Sequence, residues 1–137
     1  MSYLLDTHTF LWAAFSPNKL SAQAKKAIRS AENRVCLSSI SFWEISIKYA
    51  LGKIELEGCS PEDMPSIAEE MNLEIIQPTA TENASFYKLP RAEHKDPFDR
   101  MIIWQAIEQQ LTLISKDKNF PAYKKTRPNH IVVTHVR

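Results

Sequence analysis

Short apolar runs alternate with helical segments along most of this chain, and the alternation limits the folds available to it. Strands are predicted at Tyr3–Asp6, Val35–Leu37, Leu73–Ile76, Thr112–Ile114 and Ile131–Thr134. Helices are predicted after the first strand up to Pro17, and at Ser21–Ala31, Ser39–Leu51, Pro61–Met71, Thr81–Leu89 and Pro97–Leu111. Repeated strand–helix units favour a parallel sheet with helices on both of its faces. We therefore predict an α/β fold, a three-layer α/β/α sandwich with a central, mostly parallel sheet.

Composition narrows the class of protein. The chain has 137 residues, of which 44% are apolar, and is expected to form a single domain over residues 1–137. Its only glycines are Gly52 and Gly58, which excludes the Gly-rich loops of P-loop and dinucleotide-binding sites. Cys36 and Cys59 have neither CxxC nor zinc-site spacing, which favours a reduced, cytoplasmic protein. The N-terminus lacks the basic start of a secretory signal, and no apolar run reaches the length of a membrane span, so we expect no membrane partner.

The charge is close to balanced but unevenly distributed. A net charge of +1 gives no sign of the basic excess typical of proteins that coat nucleic acid. That value averages opposed regions, because residues 1–50 and 101–137 are basic whereas residues 51–100 are acidic. A basic cluster at residues 116–127 either contacts phosphates or forms a solvated surface. The net charge therefore says little against a nucleic-acid partner.

Two aspartates lie at or just beyond the carboxyl ends of predicted strands. Asp6 ends the run Tyr3–Leu5, and Asp117 comes shortly after Thr112–Ile114. In open parallel sheets, ligands bind outside the carboxyl ends of the strands. The alternative is that Asp6 caps the next helix through the Thr7 or His8 amide and that Asp117 belongs to a turn or a helix cap.

Glu44 interrupts an apolar helical face. Ideal helical spacing predicts a buried stripe that contains Glu44 together with Ile40, Trp43, Ile47 and Leu51. A buried carboxylate costs several kcal/mol unless it is paired or binds a metal. Two structural alternatives remain open: a capping box that begins at Ser41, and an ion pair with Lys48 one turn later.

Two further acids stand at the start of the helix predicted from Pro97. Asp96 suits the N-cap position, and Asp99 falls in the first turn near the positive end of the helix. Capping explains the motif completely, yet two carboxylates at one helix start also form a cation site. We assign Asp96 mainly to capping and favour Asp99 as a ligand.

Each acid alone is weak evidence, but together the acids predict a metal site. Asp6, Glu44, Asp99 and Asp117 are all expected near the carboxyl edge of the sheet. Clustered carboxylates repel each other, and a hard divalent ion such as Mg²⁺ or Mn²⁺ relieves that repulsion through oxygen ligands. The chemistry expected from such a site is attack of metal-activated water on a phosphodiester.

These residues lie in segments that resemble the PIN domains, and specifically the VapC-type ribonuclease toxins of prokaryotic toxin–antitoxin pairs. The segments, in family order, are LDTH at residues 5–8, SFWEISIK at 41–48, HKDPFDR at 94–100 and LISKD at 113–117. The resemblance implies that Asp6, Glu44, Asp99 and Asp117 are the catalytic, metal-binding acids. It further implies that Asp96 is an additional acid, either a ligand or only a helix cap, and that Thr7 and Ser115 are hydroxyl partners of the ligands.

The resemblance also implies a fold, a function and partners. The fold is PIN-like α/β/α, and the function is Mg²⁺- or Mn²⁺-dependent cleavage of an RNA substrate. The partners are a second copy of the chain in a homodimer and a cognate antitoxin that occludes the site. The alternative function is a non-catalytic RNA- or protein-binding module on the same fold. A phosphatase of the haloacid dehalogenase type is disfavoured because His8 stands where a second aspartate is needed.

The remaining candidates are interpreted mainly as structural. Histidines near the acids, His8 and His94, are more typical of hydrogen-bond partners than of ligands, and His130 and His135 have no metal-site spacing. Arg100 either contacts phosphate or balances nearby acids. The aromatic residues Phe10, Trp12, Trp43 and Trp104 are predicted to pack in the core or a dimer interface, and Cys36 is predicted to be buried.

Overall fold

The computed structural model describes residues 1–91 and 96–115. Its strands are β1 (Ser2–Leu5), β2 (Arg34–Ser38), β3 (Glu74–Ile76) and β4 (Thr112–Ile114). Its helices are α1 (Thr7–Phe15), α2 (Ala22–Arg29), α3 (Ser39–Ala50), α4 (Met64–Glu70), α5 (Ala80–Ser85) and α6 (Pro97–Glu108), with 3₁₀ turns at Pro17–Lys19, Pro61–Asp63 and Phe86–Lys88. The predicted alternation of strands and helices is confirmed for these residues. The predicted strand Ile131–Thr134, together with Asp117 and the basic cluster at residues 116–127, lies outside the described residues.

The four strands form one parallel sheet in the order β3-β2-β1-β4. Leu5 at the end of β1 lies opposite Leu37 of β2 and Ile114 of β4. Because these strands run in the same direction and end at the same level, the residues that follow them meet at one edge of the sheet. The predicted α/β fold with a parallel sheet is therefore confirmed.

Alternating strand residues build a separate core on each face of the sheet. One core joins strand residues to α6, and its members include Leu4, Cys36, Leu113, Ile103 and Ile107. The other joins strand residues to α1, α2, α3 and α4, and its members include Leu5, Leu37, Ile114, Phe10, Ala24, Ile45 and Met64. Helices thus cover both faces, as the three-layer arrangement requires. Cys36 is buried as predicted, and so are Phe10 and Trp104.

Several helix boundaries differ from the predicted ones. The Ser21 hydroxyl accepts a 3.0 Å hydrogen bond from the Ala24 N–H and begins α2, which ends at Arg29 rather than Ala31. The helix predicted over Thr81–Leu89 is α5 followed by a 3₁₀ turn, because the Leu89 N–H closes that turn on the Phe86 carbonyl. The longest described helices, α3 and α6, have 12 residues each, and no helix in the described ranges is long and apolar enough to cross a bilayer.

The orientation of α3 differs most from expectation. The predicted buried stripe is wrong for Trp43 and Leu51, which are 59% and 63% exposed. The residues of α3 that are buried are Ser41, Glu44 and Ile45. The physical reason is that α3 turns its polar pair Ser41 and Glu44 towards α1, where both find hydrogen-bond partners. The helix ends before Gly52, whose φ of +73° suits glycine best.

Candidate active site

Asp6 lies at the carboxyl end of β1 and has both carboxylate oxygens occupied by donors. Its backbone N–H donates to the Ile114 carbonyl over 3.1 Å, which fixes it beside the end of β4. Oδ1 accepts from the Thr9 N–H at 2.8 Å, and Oδ2 accepts from the Ser115 hydroxyl at 2.6 Å. Asp6 therefore caps α1 as that interpretation predicted, but through the Thr9 N–H rather than the amide of Thr7 or His8, because the N–H three residues on faces the N-cap side chain. The residue is buried at the sheet edge. Burial raises the pKa of Asp6, and the hydrogen bonds from Ser115 and Thr9 oppose that rise.

Glu44 is held by α1. The carboxylate is only 1% exposed, and Oε1 accepts a 2.6 Å hydrogen bond from the Thr7 hydroxyl. The same hydroxyl lies 2.9 Å from the Ser41 hydroxyl. A threonine hydroxyl has one proton, so its donation to Glu44 makes Ser41 the donor in the second contact. The proposed capping box at Ser41 is wrong, because the N-cap of α3 is Ser38, whose hydroxyl accepts from the Ile40 N–H.

Lys48 supplies a cation to two of the acids. Its Nζ lies 2.5 Å from Glu44 Oε2, one turn away on α3, so the predicted ion pair is confirmed. The same Nζ lies 3.5 Å from Asp96 Oδ2, at the start of α6. The second contact joins two separate helices through one ammonium group, and sequence reasoning missed it. In the sequence, the four-residue spacing from Glu44 indicated only the ion pair between Lys48 and Glu44.

Asp96 and Asp99 occupy the positions predicted for them in the first turn of α6. The Asp96 carboxylate accepts from the N–H groups of Phe98 and Asp99 at 2.9 and 3.4 Å, with Pro97 opening the helix. Asp99 is half-buried, and burial together with the charges of Glu44, Asp96 and Asp6 raises its pKa to about 8. Lys48 opposes this rise. The charges of Asp6, Glu44 and Asp96 all act on Asp99, so the four acids lie close together although they come from distant parts of the chain.

The donor set fits a divalent cation in chemistry and in charge. Oxygen ligands suit Mg²⁺ and Mn²⁺, and the pKa of Asp99 is raised first by burial and then by the charges of Glu44, Asp96 and Asp6, which a divalent ion would offset. As they stand, no three acidic, histidine or cysteine side chains within residues 1–91 and 96–115 form a group that could hold an ion. Asp117, the fourth acid predicted from the sequence, lies outside those ranges.

The other candidates have mixed outcomes. Within the described residues, His8 is half-buried and acts on Asp6 through its charge, whereas His94, His130 and His135 fall outside. Arg100 donates to the Leu89 and Pro90 carbonyls at 3.3 Å, and its guanidinium lies 5.4 Å from the Phe86 ring centroid. Arg100 therefore anchors the chain around Leu89, a role that the sequence did not indicate.

Comparisons with known proteins identify the family to which the chain is similar. Residues 3–126 match the PIN domain family. Over 125 residues the chain is 30% identical to Ribonuclease VapC22 of Mycobacterium tuberculosis, covering 91% of this chain and 94% of that protein.

Solved structures share the fold at lower identity. Rickettsia felis VapBC2, bound to a DNA fragment from its promoter, aligns with a TM-score of 0.66 and 21% identity over 100% of both chains. DNA-bound VapBC from Salmonella typhimurium aligns with a TM-score of 0.59 and 19% identity over 98% of both chains.

Proposed function

Because the chain belongs to the PIN domain family, we propose that it is a divalent-metal-dependent endoribonuclease and the toxin of a toxin–antitoxin pair. One observation carries the proposal: Asp6, Glu44, Asp96 and Asp99, from three separate segments, interact at the carboxyl edge of the sheet. The 30% identity to a protein named as a VapC ribonuclease, over nearly the full length of both chains, supports it.

Asp6, Glu44 and Asp99 are the proposed ligands of Mg²⁺ or Mn²⁺, with Asp117 as the fourth. Asp96 is either a further ligand or only the N-cap of α6. A bound ion would lower the pKa of an attacking water and stabilise the oxygen that leaves in phosphodiester cleavage.

Hydrogen-bond donors of the chain itself orient the proposed ligands Asp6 and Glu44 before any substrate binds. The Ser115 hydroxyl and the Thr9 N–H orient Asp6, and the Thr7 hydroxyl orients Glu44. Both carboxylates are almost fully buried, so bulk water is kept from them on the core side. Ligands that are already oriented lose less conformational freedom when they bind an ion.

Three partners follow from the same proposal. We propose RNA as the substrate, a cognate antitoxin that covers the site, and a second copy of this chain in a homodimer. The antitoxin is supported by the structural relatives, which are described as VapBC toxin–antitoxin complexes. A single nuclease domain over residues 1–137, acting in the cytoplasm, is also part of the proposal.

RNA cleavage by the purified protein tests the proposal. We expect endonucleolytic cleavage with Mg²⁺ or Mn²⁺, no cleavage in EDTA, and loss of cleavage in Asp6→Asn. Glu69→Gln is a matched control, because Glu69 is an exposed acid on α4. Cleavage that persists in EDTA, or full activity of Asp6→Asn, would contradict the mechanism. Absence of any cleavage, with RNA binding that survives loss of Glu44, would instead support the non-catalytic binding module.

A further inference from the structure

Lys48 stands among the acids that the proposed function assigns to the metal, and that function gives it no role. Its ammonium contacts Glu44 at 2.5 Å and Asp96 at 3.5 Å, and it is only partly exposed. It thereby bridges α3 and the first turn of α6, the two helices that carry Glu44 and Asp99. The positive charge of Lys48 therefore offsets part of the negative charge of Glu44 and Asp96, which a divalent ion would otherwise neutralise.

We propose that Lys48 is the built-in counter-cation of the site: it holds Glu44 and Asp96 in place without metal, and a divalent ion binds against its repulsion. The inference rests on the proposed function, because it concerns the same carboxylates. It makes Lys48 a positioning residue with a direct effect on ion affinity. In the metal-free protein Lys48 stabilises the fold, and in the metal-bound protein it keeps the ion exchangeable.

The first step of the argument concerns Glu44. A carboxylate that is 1% exposed requires compensation, and the Thr7 hydroxyl is a neutral donor. Lys48 contributes the positive charge at the other oxygen, Oε2. Removal of one partner from a buried ion pair leaves the other charge uncompensated, which is strongly destabilising. Without metal, a variant that lacks the ammonium is therefore expected to be less stable than the wild type.

The second step concerns what remains when the ammonium is removed. Glu44 keeps its hydrogen bond from Thr7, and Asp96 keeps the N–H groups that it caps. The acids therefore stay in place, while the repulsion between Lys48 and an incoming ion disappears. Between a singly and a doubly charged cation a few ångströms apart, that repulsion is worth on the order of tenfold in affinity even at the dielectric constant of water. Loss of Lys48 should thus tighten ion binding, whereas loss of a merely structural residue would leave it unchanged or weaken it.

The experiment compares the full-length wild type with Lys48→Met, Lys48→Arg and Lys53→Met. Methionine keeps the length of the lysine without its charge, arginine keeps the charge, and Lys53 is an exposed lysine just beyond α3. Titration with MnCl₂ by calorimetry measures ion affinity, and thermal unfolding with and without Mn²⁺ measures its effect on stability. We expect Lys48→Met to bind Mn²⁺ about tenfold more tightly than the wild type. Its melting temperature should be lower in EDTA and should rise more on addition of Mn²⁺, whereas the other two variants should resemble the wild type.

Unchanged or weaker Mn²⁺ binding by Lys48→Met would overturn the inference. So would equally tight binding by Lys48→Arg, because the charge would then not be the cause. If Lys48→Met is unfolded in EDTA, recovery of the fold in Mn²⁺ supports the inference, and failure to recover while Lys48→Arg folds overturns it. RNA cleavage by the wild type, tested separately in Mg²⁺ and in EDTA, decides the proposed function independently of these measurements.

Discussion

The hydroxyl of Ser115 donates a 2.6 Å hydrogen bond to Asp6 Oδ2 and so joins two residues 109 positions apart in the sequence. Asp6 follows β1 and Ser115 follows β4, and the two strands pair in parallel. The bond is fully buried, since neither side chain has appreciable exposure. The register of the sheet therefore sets the orientation of the first acid of the candidate site.

Ser115→Ala tests this relationship. Loss of a buried donor to a carboxylate is expected to lower the free energy of unfolding by about 1–3 kcal/mol. It should also raise the pKa of Asp6 further, because the Ser115 hydrogen bond now lowers it. The protein should then require more Mg²⁺ for half-maximal RNA cleavage, measured at a fixed pH near neutrality. Ser66→Ala, at an exposed position of α4, is the control, and equal Mg²⁺ requirements in the two variants would show that Ser115 does not act through Asp6.

Thr7→Val tests the hydroxyl that orients Glu44. Valine has nearly the shape of threonine but cannot donate to Glu44 Oε1, so we expect a loss of about 1–3 kcal/mol in stability and weaker Mn²⁺ binding. Thr9→Val on the same helix is a matched control, because the Thr9 hydroxyl is buried and has no hydrogen-bond partner within the described residues. That control should be neutral or stabilising in urea denaturation. Equal destabilisation by the two variants would mean that the hydrogen bond from Thr7 to Glu44 makes no contribution of its own to stability.

Much of the site follows from the sequence because parallel strands end together. The run before Asp6 is short and apolar, and its carboxyl end meets the ends of β2 and β4 at one edge. The N-cap role of Asp96 could likewise be predicted, since Pro97 and Asp99 complete a local motif. Local rules were sufficient where neighbouring residues decide the structure.

Other features of the site depend on contacts between elements that are distant in the sequence, and these could not be predicted from the sequence alone. Glu44 is buried as expected, but Trp43 and Leu51, predicted to share its face, are exposed. Ideal helical periodicity takes no account of the hydrogen bond from Thr7 on α1 to Glu44, which fixes the face that α3 presents to α1. The contact between Lys48 and Asp96 depends on how α3 packs against α6, which no single-sequence pattern encodes.

The pH dependence of stability tests the electrostatics of Asp99. The pKa of Asp99 is raised from 3.8 to about 8, so the folded protein holds this proton more tightly than the unfolded chain does. Protonation of Asp99 therefore contributes stability that is fully present below the lower value and is lost as the pH rises through the upper one. Thermal unfolding in EDTA should show a melting temperature that falls between about pH 4 and pH 8. Asp99→Asn should flatten this dependence, and Glu69→Gln should preserve it; an unchanged slope in Asp99→Asn would contradict the assignment.

Asp96 has two candidate roles, and two substitutions separate them. Serine at position 96 can still accept a hydrogen bond from the Phe98 N–H but carries no charge, whereas alanine can do neither. If Asp96 acts mainly as the N-cap, Asp96→Ser should keep nearly wild-type stability and lose no more than about tenfold in Mn²⁺ affinity, the effect of one nearby charge. Asp96→Ala should lose about 1 kcal/mol of unfolding free energy in urea denaturation. A loss of Mn²⁺ affinity far beyond tenfold in Asp96→Ser, with stability retained, would assign Asp96 to the metal instead, because the loss of one nearby charge does not account for so large an effect.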